Sequence, residues 1–135
     1  MVEAGVHRPG LMSRHADRLL PVHELIVVQA GMLPIAEGDR RFEVRGEEWV
    51  LLRAGRRHFG YDDLDGKTWF YWVCFGDSPD AGFDDPIVSE RRTGTVSRPG
   101  RVRAHFEHLL EDQYRAILSP RTARDRKSTR LNSSH

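Results

Sequence analysis

The chain has 135 residues whose charges nearly balance, 21 Lys or Arg against 20 Asp or Glu, and it contains one cysteine, Cys74. Balanced charge does not favour a nucleic-acid-binding surface, which is typically a clustered basic excess, and a single cysteine excludes an internal disulfide framework. The length fits one domain, and the lack of a membrane-length apolar run or a signal-peptide pattern predicts a cytoplasmic protein.

The first 96 residues have the pattern of a β domain preceded by an arm. Residues 1–20 are polar and contain Pro9 and Gly10, which predicts an irregular N-terminal arm. Residues 21–96 contain short β-branched and aromatic segments separated by turns, which favours a sandwich or barrel. The predicted strands are residues 23–31, "MLPIA" and "RFEV" on either side of the Gly38-Asp39 turn, residues 48–55, residues 68–76 and a segment within residues 87–96.

The segment 97–120 changes to helical periodicity. Ser97 and Pro99 are typical of a helix start, and Ser119-Pro120 of a stop, so a helix is predicted over residues 98–118. Its apolar stripe is wider than a two-residue-per-heptad seam, which indicates that it packs on a partner surface. The stripe consists of Val102, Phe106, Leu109, Leu110, Tyr114, Ile117 and Leu118.

Residues 121–135 are expected to be a truncated end with a foreign tail. The stretch "DRKSTRLNSSH" (residues 125–135) contains the chain's only asparagine and one of its two lysines. One permitted coding of it resembles a common sequencing-library adapter, so we expect the native sequence to be cut near Arg124. Without residues 125–135, which hold three basic residues and one acidic residue, 18 basic and 19 acidic residues remain, a net charge of −1.

The order of the elements is similar to that of a known family. A strand, a hairpin, "LLRAGRRH" (residues 51–58), "YWVCF" (residues 71–75) and then a helix resemble the N-terminal cupin domain of AraC-type transcription regulators, over about residues 18–118. The family's form of the first motif is Leu-Leu-x-Pro-Gly-x-x-His, with Ala54 here in place of the proline. The resemblance implies a mainly β fold, a cupin-like double-stranded β-helix barrel followed by a C-terminal α-helix.

The same resemblance implies a regulatory function rather than an enzyme. In this family the barrel binds a small-molecule effector such as a sugar, and the helices after it form the homodimer contact. DNA is bound only through a separate C-terminal helix-turn-helix domain, and neither a cofactor nor a membrane partner is expected. The candidate dimerisation residues are Phe106, Leu109, Leu110 and Ile117.

Four residues are candidate ligand contacts by the resemblance: Arg18, His58, Phe70 and Trp72. Arg18 matches an arginine that reaches into the family's barrel, where its fork of donors suits neighbouring hydroxyls. Alternation puts Phe70 and Trp72 on one face of their strand, and the family's stacking tryptophan matches Trp72, which selects this face as the inward one. The pattern alone is equally compatible with core packing on both faces of this strand. Without the resemblance, the pattern favours an exposed Arg18 on a solvated arm.

His58 also bears on the alternative function, a stand-alone metal-dependent cupin enzyme such as an isomerase or dioxygenase. Enzymatic cupins bind a metal with three histidines and a carboxylate, two of the histidines from a His-x-His pair, whereas the comparable strand here offers His23-Glu24. Because a transition metal needs about three protein ligands, the sequence predicts no metal site and a hydrogen-bonded His58 at the barrel rim. The spacing of His7, His15, His105 and His108 does not suggest a site.

Overall fold

The computed structural model describes residues 2–10, 13–76 and 92–118, and the chain divides into two compact units, Met1–Pro99 and Gly100–His135. The strands of the first unit form two antiparallel sheets. The larger sheet has the order β1-β8-β3-β6-β9 and the smaller has the order β2-β7-β4-β5. The strands are β1 (Val2–His7), β2 (Arg18–Leu19), β3 (His23–Ala30), β4 (Met32–Glu37), β5 (Arg40–Arg45), β6 (Glu48–Leu52), β7 (Arg57–Gly60), β8 (Trp69–Phe75) and β9 (Thr93–Thr95).

The core lies between the two sheets, because both contribute buried apolar side chains to one cluster. Phe70 of β8 belongs to this cluster and Trp72 packs against it, so the inward face predicted for this strand is confirmed. The mainly β fold class with a following helix is confirmed as well. The larger sheet supplies Ile26, Val28, Val50, Leu52 and Phe70, and the smaller sheet supplies Leu33, Ile35, Phe42 and Val44.

The interpretation of residues 1–20 as an irregular arm is wrong for two segments. The strand β1 pairs with β8 along its whole length, from Val2 opposite Phe75 to His7 opposite Phe70, and β2 pairs with β7. The β fold therefore begins before residue 21. The sequence does not show this because β1 is an edge strand, which is held by backbone pairing with an aromatic neighbour and needs few apolar side chains of its own.

Most of the other predicted strands are confirmed within a few residues. The motif "LLRAGRRH" forms two strands, the end of β6 and the start of β7, around a turn at Gly55, whose φ is 78°. Of the segment predicted within residues 87–96, β9 is found at Thr93–Thr95, and residues 87–91 lie outside the described residues. The predicted truncated end, residues 121–135, also lies outside the described residues.

The helix α1 (Pro99–Leu118) confirms the predicted helix, and all of its residues except Pro99 belong to the second unit. Among the candidate dimerisation residues, Phe106 is buried at 6% exposure, while Leu109, Leu110 and Ile117 are half-buried. Tyr114 and Leu118 of the same stripe are 66% and 57% exposed. In the described part of the chain, no helix combines the length and hydropathy needed to cross a membrane.

We expect the exposed end of the α1 stripe to cause weak self-association. Tyr114 and Leu118 leave apolar surface in water, and such surface promotes association when it is contiguous. Sedimentation at several concentrations should show a mass that rises with concentration. The change Tyr114→Gln with Leu118→Gln should reduce the rise, whereas Arg101→Gln on the same helix should not. A wild-type mass that stays monomeric at every concentration would contradict this expectation.

Candidate functional site

A cavity of about 370 Å³ lies beside β1, β2 and β8. Its volume is within the range of roughly 300–1,000 Å³ that is typical of small-molecule sites. Apolar and charged groups both face it, a combination that can orient a small polar molecule. The lining residues are Glu3, Arg18, Leu20, Pro21, Val22, Trp72 and Cys74.

Trp72 forms one wall of the cavity, and Gly5 fixes its position. A Cβ atom at Gly5 would lie 2.3 Å from Cζ2 of the indole, so only glycine lets the ring rest against β1. The indole packs on the core and also lines the cavity, where it is half-buried. An aromatic face in this position can stack on the apolar side of a ligand ring.

Arg18 lies in β2, and its partner in the register with β7 is His58. It lines the same cavity as Trp72, so the structure brings together two of the four candidate ligand contacts. The other two, His58 and Phe70, are buried and are not among the residues that line the cavity. Phe70 instead contacts the imidazole rings of His7 and His15, with centroid distances of 4.9 and 6.2 Å.

Three buried polar side chains form a second cluster: His15, Glu24 and His58. One ligating atom from each residue lies within 4.8 Å of the other two. His58 Nε2 and Glu24 Oε1 are 3.3 Å apart, and in the described part of the chain neither atom makes a hydrogen bond of good geometry. We predicted from the sequence that His58 lacks the partners for a metal site. This prediction is wrong, because the structure places a second histidine, His15, beside it, and His15 lies in the segment that was interpreted as an arm.

His15 enters the interior because its backbone passes very close to β7. The Gly60 amide donates to the His15 carbonyl at 3.1 Å, and a Cβ atom at Gly60 would lie 2.6 Å from the His15 nitrogen. The Leu64 amide also donates to the Ser13 carbonyl at 2.6 Å. Two exposed ion pairs flank these contacts, Arg14 with Asp63 and Asp17 with Arg57.

The protonation of His15 suits a ligating role. Its Nδ1 lies 2.9 Å from the Ala16 carbonyl, which can only accept, so the proton is on Nδ1 and the lone pair on Nε2. Burial lowers the pKa of His15, and the Glu24 carboxylate opposes this only in part. The imidazole is therefore neutral near pH 7, which is the form that binds metals.

Glu24 differs from the other deeply buried carboxylate, Glu37. Both oxygens of Glu37 accept from Arg92 Nη2, and the Arg53 amide donates to the same group at 2.8 Å. Glu24 is 1% exposed and faces His58, without an arginine among the ion pairs of the described residues. Glu37 is thus a satisfied structural carboxylate, whereas Glu24 is a buried carboxylate without a permanent counter-charge.

Cys74 connects the cluster to the cavity. It pairs with Glu24 in the register of β3 and β8, and it lines the cavity. Burial, followed by the carboxylates of Glu24 and Glu3, raises the pKa of Cys74 to about 12. Its side chain is therefore a neutral thiol at physiological pH, which makes it part of the cavity wall rather than a nucleophile.

Comparison with known proteins identifies a regulator as a homologue. The chain is 37% identical to the uncharacterized HTH-type transcriptional regulator YisR of Bacillus subtilis over an aligned length of 127 residues, and the match covers 79% of this chain and 44% of YisR. The chain thus spans less than half of its relative's length. No protein-family model matches it.

The fold has a counterpart among solved structures. ToxT from Vibrio cholerae O395 superimposes with a TM-score of 0.51 over 94% of this chain and 55% of ToxT. The two sequences are 10% identical over this superposition, so the likeness shows a shared fold and nothing about ligands.

Proposed function

We propose that this chain is the effector-binding part of an AraC-type transcription regulator and that it is not itself an enzyme. The observation that carries the proposal is the cavity in which Trp72 and Arg18 face the same space. Homology to an HTH-type transcriptional regulator supports it. DNA binding would then belong to a helix-turn-helix domain elsewhere in the full protein, which would act in the cytoplasm.

The cavity favours a small polar ring compound, such as a sugar, as the effector. The indole of Trp72 offers a flat apolar face for the ring, and Arg18 offers several donors for hydroxyl or carboxylate oxygens. Glu3 on the same wall can accept from a hydroxyl or amine. The protein would recognise the effector by stacking on one face of its ring and by hydrogen bonds to the polar groups at the edge of the ring.

Homodimerisation through α1 is the second part of the proposal. Leu109, Leu110 and Ile117 are half-buried in the single chain and retain apolar surface for a partner helix. Phe106 is already buried and has less surface to contribute. A second subunit would cover the stripe and align two DNA-binding domains, as a palindromic site requires.

A screen followed by matched variants tests the effector proposal. Sugars and small organic acids would be screened by thermal shift, and each hit titrated by calorimetry. Trp72→Ala and Arg18→Ala should each weaken binding at least about tenfold, which corresponds to about 1.4 kcal/mol. The controls Trp49→Ala, whose indole also packs on a glycine, and Arg45→Ala should bind within about twofold of wild type. A hit that binds all four variants equally would place its site outside the cavity and contradict the proposal.

The rival function, a metal-dependent cupin enzyme, gains support from the cluster of His15, Glu24 and His58. Two histidines and a carboxylate leave coordination positions open for substrate, as catalytic metal sites do. The two functions differ in the fate of the bound molecule. A hit would be incubated with the protein and added metal and then examined by NMR. If the protein is a sensor, the molecule should be unchanged, whereas an enzyme should convert it to a product.

A further inference from the structure

We propose that His15, Glu24 and His58 bind one divalent transition-metal ion in the interior of the β domain. The site goes beyond the effector proposal and does not depend on it, because the three side chains are distinct from those lining the cavity. Zinc and iron(II) are the chemical class that fits, since imidazole and carboxylate together suit these ions better than the all-oxygen sites of magnesium or calcium.

The first reason is charge. A carboxylate removed from water needs a counter-charge or donors, and the interior supplies both to Glu37 through Arg92 and the Arg53 amide. Glu24 is equally buried, but its Oε1 makes no hydrogen bond in the described part of the chain. A divalent cation held between Glu24 and the two imidazoles would supply the missing positive charge.

The second reason is geometry. Glu24 Oε1 and His58 Nε2 are 3.3 Å apart, which is about the separation of two donors on a tetrahedral ion with bonds of about 2.0 Å. The third donor, from His15, lies within 4.8 Å of both. His58 Nε2 likewise makes no hydrogen bond with the described residues.

The third reason is the support behind His15. Metal-binding histidines usually donate their second ring N–H to a carbonyl or carboxylate, which fixes the tautomer and the ring. The contact from His15 Nδ1 to the Ala16 carbonyl has this form. Gly60 adds a backbone constraint, because its lack of a Cβ atom is what allows the His15 backbone to lie against β7.

Direct metal titration tests the site. Protein stripped with a chelator would be titrated with Zn²⁺ by calorimetry and with Co²⁺ by visible absorption, which reports nitrogen and oxygen coordination. We expect one ion per chain, and at least about a hundredfold weaker binding for His15→Ala and His58→Ala, since each removes one of three ligands. The control His105→Ala with His108→Ala, two exposed histidines of α1, should bind within about twofold of wild type. Equal loss in this control would assign the binding to the helix and overturn the proposal.

Glu24→Gln keeps the test decisive if the histidine variants do not fold. This change preserves shape and removes the buried charge, so in chelator the variant should melt at or above the wild-type temperature. Zn²⁺ should raise the melting temperature of wild type and leave that of Glu24→Gln unchanged. A wild-type melting temperature that does not respond to Zn²⁺ would show that Glu24 and His58 form only a structural pair, and an equal zinc-dependent rise in both proteins would place the ion elsewhere. Either result would overturn the proposal.

Discussion

Replacing Arg92 with alanine should destabilise the β domain by about 3–5 kcal/mol, the usual effect of breaking a buried ion pair. Arg92 is buried, its Nη2 donates to both oxygens of Glu37, and its Nε donates to the Leu51 carbonyl at 3.1 Å. Without it, the Glu37 carboxylate stays in the interior with only the Arg53 amide and a distant Arg56. A loss of this size is a large part of the roughly 5–15 kcal/mol that stabilises a domain.

Urea unfolding followed by circular dichroism measures this effect against two comparisons. Arg57→Ala breaks the exposed pair with Asp17 and should cost less than about 1 kcal/mol. The double change Glu37→Met with Arg92→Met should be less destabilising than Arg92→Ala, because it leaves no unpaired charge behind. If Arg92→Ala costs no more than Arg57→Ala, the buried pair does not stabilise the fold as we describe.

Gly31→Ala is the second substitution with a large expected effect, about 2–5 kcal/mol. Gly31 connects β3 of the larger sheet to β4 of the smaller one, and its φ of 81° is unfavourable for any residue with a side chain. A Cβ atom there would lie 2.3 Å from Thr68 Oγ1 and 2.6 Å from the Thr68 Cα. The substitution would therefore also disturb the hydrogen bond from the Met32 amide to Thr68 Oγ1.

Gly55→Ala is the matched control for this prediction. Gly55 has nearly the same φ, 78°, but nothing lies within 4 Å of its added Cβ. The control therefore isolates the cost of the left-handed backbone, about 1–2 kcal/mol, from the cost of the clash with Thr68. Equal losses in urea unfolding for the two variants would show that the Thr68 contact has no energetic consequence.

The elements with strong periodicity could be predicted from the sequence. The alternation in residues 68–76 and the match of Trp72 gave the correct inward face, and the three-and-four spacing of the apolar stripe gave α1 within one residue of its start. Both patterns follow from burial on one face of a regular element, which the order of apolar residues along the sequence shows most clearly. Arg18 is exposed and lines the cavity together with Trp72; the resemblance, rather than any local pattern, associated these two residues.

The buried cluster could not be predicted, for physical reasons. His15 reaches His58 through the close approach to Gly60, and nothing in the spacing between residues 15, 24 and 58 encodes that approach. A His-x-His pair requires two histidines on one strand, whereas these three side chains come from β3, β7 and an irregular segment before β2. The strand β1 was missed because its pairing with β8 uses backbone groups that every sequence possesses.

A crystal structure of the protein with the strongest small-molecule hit tests the central claim, a ligand site at Trp72 and Arg18, most directly. We expect density for the molecule in the cavity, with its ring against the Trp72 indole and a polar atom within hydrogen-bonding distance of the Arg18 guanidinium. Density for the molecule at another place, with the cavity free of it, would show that Trp72 and Arg18 do not form its binding site.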